Sequence, residues 1–516
     1  MNVAALWVSV FLFAVGALSR LAPLFDAGGR LFRQFPSEDG YLMLTIARNV
    51  ALGNGMSVAD GVVPTNGTQP LATLLWAAVF WLARGEREAG VRGILLVQVG
   101  LAVACAVLLW RLGRELFGAR PGGAGAALLI SAAWFASPRV VTHSMNCLES
   151  GLYALVVIAV ALVFARSPRA ERWSAARCLA TGVLLGLGFW TRNDAVFLVL
   201  AACLVHVGWG WSDSAKPVTR RFGETLAFGA TSVAVAIPWL VFNQLRFGAI
   251  VPVSGQSEAL DAKFAENVWK IPAAVFEYST IVLPVPNALE ESSWVLAAGC
   301  AALAAVSWLL LRVTREGAPN ARAVATLGSI FGGCLLLFYG LWFGAGYFFS
   351  RYLFPVSPLV ALLVGGAALH AWETSDSRAR RFAPAAAVAL CALVLALDLR
   401  LYRNGASHMH FQVIDWVQAN VPDDAWVAAP QTGTLGFFHD RTINLDGKVN
   451  PAALAARKSD GETTRYYLEQ RQIAYLADWH GIAAWAKDPR VASEFELIVD
   501  DPARDLAVLR RRTSHP

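Results

Sequence analysis

Residues Ser293–Leu311 read SWVLAAGCAALAAVSWLLL, an apolar run without one charged side chain. A bilayer core takes roughly 20 apolar residues as a helix, so a run of this length and composition is a candidate membrane span. Ala383–Leu397 repeats the pattern, and similar runs recur from Val3–Leu18 onward. Of the 516 residues, 56% are hydrophobic and only 16% charged, which is too apolar for an ordinary soluble enzyme. The chain reads as a polytopic α-helical membrane protein.

Working outward, further candidate spans are Gly93–Trp110, Gly123–Ala136, Gly151–Ala165, Leu179–Trp190, Ala195–Trp211, Thr225–Phe242, Val324–Trp342 and Leu353–Trp372. That makes about eleven spans of the length a bilayer requires. Alternate gaps are basic: Arg111, Arg114 and Arg120; Arg166, Arg169, Arg172 and Arg177; Lys216, Arg220 and Arg221; Arg312, Arg315 and Arg322; Arg378, Arg380 and Arg381. The positive-inside rule then puts the N-terminus in the cytoplasm and the C-terminal part outside, in a cell (inner) membrane. The net charge of +6 has the same origin, because these arginines flank spans and form no stripe for nucleic acid. Val3–Leu18 lacks a basic n-region, and Arg20 interrupts any cleavage site, so it reads as an uncleaved first span. The seven cysteines fall mostly in apolar runs and imply neither a disulfide framework nor a metal site.

Pro70–Ala83 (PLATLLWAAVFWLA) looks like a span but is short, and counting it would put every later basic gap outside. It is expected to lie in the interface or to re-enter. After about Tyr402 charges become frequent, and helix-like stretches (Phe411–Ala419, Thr463–Arg471) alternate with strand-like ones (Trp426–Ala429, Ile473–Leu476, Phe495–Val499). The division expected is a membrane domain over 1–401, with its first external loop at 22–92, and a soluble α/β domain over 402–516.

Polar residues held at a membrane surface are costly, so the long outer loops are where chemistry is expected: Ala22–Gln69, Ser137–Ser150 and Gln244–Ser292. The first contains PSEDGYLMLTIARNVALGNGM, Pro36–Met56. Ser37 can cap a helix starting at Glu38, and Gly53 can end it. Glu38 and Asp39 then sit in the first turn, where the helix dipole favours their ionised forms. They fit a general base, ligands of a divalent cation, or ordinary first-turn acids. The sequence itself requires no cofactor.

The run EDGY–x5–ARN–x3–GNGM, followed by PTNGTQPL (Pro64–Leu71), resembles the first external loop of GT-C glycosyltransferases. The resemblance is to the arabinofuranosyltransferase-like and protein O-mannosyltransferase-related branch. Further similarities follow in order. Asn146–Leu152 (NCLESGL) is similar to a Gly-Met-Glu-Thr run, with Cys147 and Leu148 replacing its Gly and Met. Thr191–Ala195 (TRNDA) resembles an Arg-Pro-(Asp/Glu)-Gly turn, and Phe247–Gln256 a Gly-x-x-x-Pro loop. Arg351–Pro355 (RYLFP) resembles an Arg-Tyr-x-x-Pro loop, and Leu435–Asn450 a GxxxxRxINLDGxVN run. The resemblance implies transfer of a sugar, a pentofuranose such as arabinofuranose or a hexose, from a polyprenyl-phosphate donor. The acceptor would be a glycan, lipid or protein at the outer face.

Such transfer needs a base for the acceptor hydroxyl and positive charge for the departing phosphate. The resemblance points to Asp39 as base, with Glu38 as backup or partner. Arg192 and Arg351 are the phosphate candidates, because a guanidinium fork matches phosphate oxygens. Arg192 could instead pair with Asp194, and Arg351 could be an interfacial anchor. Glu149 and His143 are candidates to line the pocket, as are Asn66 and Gln69, the latter where relatives often carry His or Lys. Asp446 and Lys448 read as a turn between strand and helix, with acceptor binding as the other reading. A transporter or flippase of lipid-linked sugars is the rival from another class, although no inverted repeat is visible.

Overall fold

A computed structural model of the chain describes residues 3–26, 29–167, 172–212, 218–376, 381–405 and 410–512. Arg169, Lys216, Arg378 and Arg380 of the basic gaps lie outside the described residues. Seven helices are long and apolar enough to cross a membrane, or eight if Gly123–Ala136 and Pro138–Ser144, bent by 63°, form one span. The bend falls at Pro138, which cannot donate to the preceding turn. Ser150–Ala165, Ala175–Thr191 and Asn193–Gly208 are shorter apolar helices, and every span expected from the sequence coincides with a helix.

The helices share two distinct ends. At one, the basic gaps meet. Arg166 pairs with Glu115 at 2.7 Å, Arg120 pairs with Glu373, and Asn320 donates to the Glu115 carbonyl. The backbone N–H of Trp173 also donates to Glu224 at 3.3 Å. At the other end the long loops gather against the C-terminal domain.

Pro70–Leu82 is one of the shorter apolar helices. It is a 13-residue helix, about 20 Å long at 1.5 Å per residue and short of a ~30 Å bilayer core. Both its flanks lie at the loop end. Asn66 before it donates to Asn243 at 3.0 Å, and Arg87 after it pairs with Asp440 of the C-terminal domain at 2.8 Å. Its Trp76 and Phe80 are buried, and Trp76 Nε1 donates to the Cys147 carbonyl at 3.1 Å.

A short hairpin, β1 (Ser57–Val58) with β2 (Val63–Pro64), follows the first-loop helix. The C-terminal sheet contains β3 (Trp426–Ala429), β4 (Thr442–Asn444), β5 (Ile473–Asp478), β6 (Phe495–Asp501) and β7 (Leu506–Arg511), in the order β4-β3-β5-β7-β6. β3 runs parallel to both its neighbours, whereas β7 is antiparallel to β5 and β6. The domain shares a core with the first loop. Tyr41 packs on Phe437 at 5.2 Å between ring centroids, and Phe32 packs on Phe438 at 5.3 Å. Burial of such aromatics is a large apolar contribution, so the two parts form one folded layer above the bundle.

Candidate active site

The first-loop helix spans Glu38–Ala51, and Ser37 Oγ accepts from the Gly40 N–H at 3.1 Å. This satisfies one of the helix's free N-terminal donors. Gly40 is required by a close approach, because a Cβ there would stand 2.2 Å from the Asn146 carbonyl oxygen. The acidic first turn is thereby wedged against the Asn146–Glu149 segment.

Asp39 and Glu38 face different partners. Asp39 Oδ2 accepts from Arg351 Nη1 at 2.9 Å. Glu38 is buried and accepts from the Thr434 N–H at 3.0 Å, from the Thr434 hydroxyl and from the Gly433 N–H. It therefore fastens the start of helix Gly433–Phe438 to the first loop. Arg48 and Arg87 complete the seam by pairing with Asp440 at 3.0 and 2.8 Å.

Arg351 lies on the short helix Phe349–Leu353, with its guanidinium 4.0 Å over the Phe348 ring. Its Nε is buried and has no hydrogen-bond partner among the described residues. One edge of the fork is thus unoccupied beside Asp39. Arg192 is different. Its Nε and Nη2 donate to Asp194, its Nη1 to Glu149 at 3.0 Å, and its Nη2 also to the Tyr339 hydroxyl at 2.9 Å. Tyr339 donates in turn to Asp194 and stacks on Tyr352, with centroids 4.1 Å apart. Arg192 is a buried brace whose nitrogens are all engaged, and Glu149 is part of that brace.

The other candidates sit around this centre. His143 is buried against Phe354, and its Nε2 lacks a hydrogen-bond partner among the described residues. Asn66 is a pin, donating to Asn243 and accepting from the Val253 N–H, both at 3.0 Å. Gln69 precedes helix Pro70–Leu82, and its Oε1 is buried and unpartnered among the described residues. No group of three His, Cys, Asp or Glu side chains that could hold a metal ion occurs among the described residues.

The Asp446–Lys448 turn packs between helix Val253–Asp261 and Gly67 of the first loop. Lys448 Nζ is 3.7 Å from Glu258. Burial works against the ammonium charge, but Asp39, Asp446 and Glu258 together raise its affinity for the proton above that of an ordinary lysine. Burial pushes the Asp446 carboxyl up to about 6, opposed by Lys448.

A family model described as dolichyl-phosphate-mannose-protein mannosyltransferase matches residues 67–242. A second, a domain of unknown function (DUF8728), matches residues 399–510. No curated protein matches the chain. The structure is similar to that of ArnT from Cupriavidus metallidurans bound to undecaprenyl phosphate, with a TM-score of 0.61 at 14% identity over 98% of each chain. It is also similar to the archaeal oligosaccharyltransferase AglB from Archaeoglobus fulgidus, in complex with an inhibitory peptide and a dolichol-phosphate. That likeness has a TM-score of 0.54 at 12% identity, covering 99% of this chain and 75% of that one.

The chain has a GT-C, ArnT-like fold.

Within this fold the structure brings Asp39 and Arg351 together, gathers Arg192, Glu149 and Asp194 next to them, and turns Glu38 to the C-terminal domain. Sequence reasoning missed Glu258, which lies in an unremarkable helix, Val253–Asp261. It read Lys448 as a turn residue, with acceptor binding as the other reading, in the segment that the INLDGxVN motif marked.

Proposed function

We propose that this chain is a GT-C glycosyltransferase that transfers a sugar from a polyprenyl-phosphate donor to a hydroxyl of a glycan, lipid or protein acceptor at the non-cytoplasmic face. The reading places the basic end of the bundle in the cytoplasm, the C-terminal domain (402–516) outside and the membrane domain over 1–401. The observation that carries it is the pairing of Asp39 with Arg351, a carboxylate and a partly unoccupied guanidinium held together where the long loops meet.

Asp39 takes the proton of the acceptor hydroxyl as that oxygen attacks the anomeric carbon. The bond from the anomeric carbon to the phosphate oxygen breaks, and polyprenyl phosphate leaves with the electron pair. Arg351 neutralises that charge through its free edge, acting where charge develops. Arg192 acts at one remove, holding Glu149 and Tyr339 in place. Glu38 fastens the C-terminal domain, and Asn66 fixes the loop beyond Val253. His143 and Gln69 supply buried polar atoms to the wall. An apolar cavity of about 610 Å³ runs between helices Ser293–Glu316, Pro319–Leu341 and Ser357–Thr374. Tyr278 and Leu353 line its upper end, two residues along the chain from Arg351 in the case of Leu353. It lies away from Asp39, where a lipid tail and not the reacting sugar belongs.

The test is transfer from a labelled polyprenyl-phosphate sugar by the protein in nanodiscs. Arg351→Lys keeps the charge but loses the fork, so transfer should fall, and Arg351→Ala should fall further, about 100-fold. Parental rates in both variants would move the phosphate elsewhere. Movement of lipid-linked sugar across liposomes without any transfer would favour the flippase reading.

A further inference from the structure

Arg351 sits on a helix of only 5 residues, Phe349–Leu353, which has few intrahelical bonds to hold its direction. The residue before it is gripped by helix Lys270–Thr280. Tyr278 of that helix donates its hydroxyl to the Ser350 carbonyl at 2.6 Å and stands 3.1 Å from the Ser350 hydroxyl. The Ser350 hydroxyl donates to Glu277 Oε2. Main chain and side chain of Ser350 are therefore both held, by neighbouring residues of one helix. Upstream, Asn267 Nδ2 donates to the Tyr339 and Gly344 carbonyls at 3.1 and 2.6 Å, which anchors the turn leading to Phe349.

Glu277 is itself fixed. It is buried, and its Oε1 accepts from Arg139 Nε at 2.6 Å and from the Val285 N–H at 2.8 Å. Arg139 Nη2 donates onward to the Val285 carbonyl at 2.7 Å. Arg139 lies in helix Pro138–Ser144, just after the bend and on the same helix as His143. One carboxylate thus joins the bent helix, helix Lys270–Thr280 and the Arg351 helix. A buried ion pair is weak ground for stability, because desolvation offsets most of its attraction, and apolar side chains would hold such a junction as firmly. What the charged hydrogen bonds add is direction. Arg192 takes its direction from acceptors around its own guanidinium. Arg351 has one such acceptor, Asp39 at Nη1, and its buried Nε has no hydrogen-bond partner among the described residues. The aim of that free edge therefore depends on the backbone at Ser350.

We infer that Glu277 and Tyr278 are positioning residues for Arg351: by holding Ser350 they aim the free edge of its guanidinium at the donor phosphate. This rests on the glycosyltransferase reading and gives helix Lys270–Thr280 a part in it. A misplacement of about 1 Å at a reacting group can cost about 100-fold in rate, so contacts at one remove matter.

The experiment leaves Glu277 in place, because its removal would strand the Arg139 charge, and breaks the contacts at Ser350 instead. Ser350→Ala and Tyr278→Phe each delete one hydroxyl. Binding of a polyprenyl monophosphate, with the corresponding polyprenol as neutral control, is measured on the full-length protein in detergent by native mass spectrometry. Each deletion is made in the parent and in Arg351→Ala. The parent should prefer the phosphate, and Arg351→Ala should lose most of that preference. Each hydroxyl deletion should weaken phosphate binding by about 2- to 10-fold, the scale of one hydrogen bond, and leave polyprenol binding unchanged. In the Arg351→Ala background the same deletions should cost nothing further, because they act through the missing guanidinium. A contact that merely holds the fold would cost the same in both backgrounds. Parental phosphate affinity in both Ser350→Ala and Tyr278→Phe would overturn the inference, as would equal losses with and without Arg351. A parent that does not prefer the phosphate to polyprenol would overturn the glycosyltransferase reading itself, and this inference with it.

Discussion

Replacing Glu38 by Gln separates the two acids of the first turn. Glu38 accepts from Gly433 N–H, Thr434 N–H and the Thr434 hydroxyl in a buried setting. Glutamine keeps one oxygen but presents an NH₂ where the other was, so a donor faces a donor. Each hydrogen bond to a buried charge contributes about 1.5–3 kcal/mol, and a stranded N–H costs a further 1–3. Docking of helix Gly433–Phe438 should therefore weaken by about 3 kcal/mol, which raises the fraction with the domain undocked by roughly 100-fold. Native-state proteolysis of the protein in nanodiscs reads this fraction, because cleavage follows the open population when reclosing is fast. Thr434→Val should have less effect in the Glu38→Gln background than in the parent, since the two side chains share one contact. Parental proteolysis and melting for Glu38→Gln, combined with loss of transfer, would refute the fastening role and assign Glu38 to the chemistry.

Arg192→Gln leaves Glu149 and Asp194 buried and unpaired, and should cost about 3–5 kcal/mol, seen as a lower melting temperature. Adding Asp194→Asn should restore part of the loss. His410 Nε2 donates to Asp478 Oδ1 at 3.0 Å where the last membrane helix leads into the soluble domain. Burial lowers its proton affinity, but Asp478 and Glu38 reverse this, so its pKa is raised above 6.5 in the folded protein. A raised pKa contributes stability that is complete below 6.5 and is lost as pH rises through the folded value. His410→Gln should accordingly lower the melting temperature more at about pH 6 than at about pH 9.

The bundle was legible because a bilayer makes composition decisive. Apolar runs bounded by arginines have few other readings, and shortness together with parity argued against a crossing at Pro70–Ala83. The Ser37 cap and the acidic first turn could also be read, since capping is local chemistry. β4 and β7 escaped notice. Thr442–Asn444 is only 3 residues long, and Leu506–Arg511 ends in basic residues that resemble a loop. At the site, residue types pointed to Asp39, Arg192 and Arg351 but could not apportion their partners. Whether a guanidinium is saturated, as in Arg192, or has an open edge, as in Arg351, depends on residues far apart in the chain. Glu38 and Asp39 are neighbours in sequence, yet the helix turn sends them to different partners. The seating of Lys448 was hidden for the same reason: nothing local in NLDGK says that helix Val253–Asp261 and Gly67 will clamp it.

The most direct test of the account is Asp39→Asn, with turnover and donor binding measured on the same preparation. The change removes the proton acceptor but keeps the shape of the side chain that meets Arg351. Loss of a positioned general base lowers rate by about 100- to 10,000-fold, so transfer from a polyprenyl-phosphate sugar should nearly vanish. Affinity for the polyprenyl monophosphate should stay at the parental level or rise, because Arg351 no longer has a carboxylate to compete with the phosphate. Turnover by Asp39→Asn at close to the parental rate, with donor binding intact, would contradict the account.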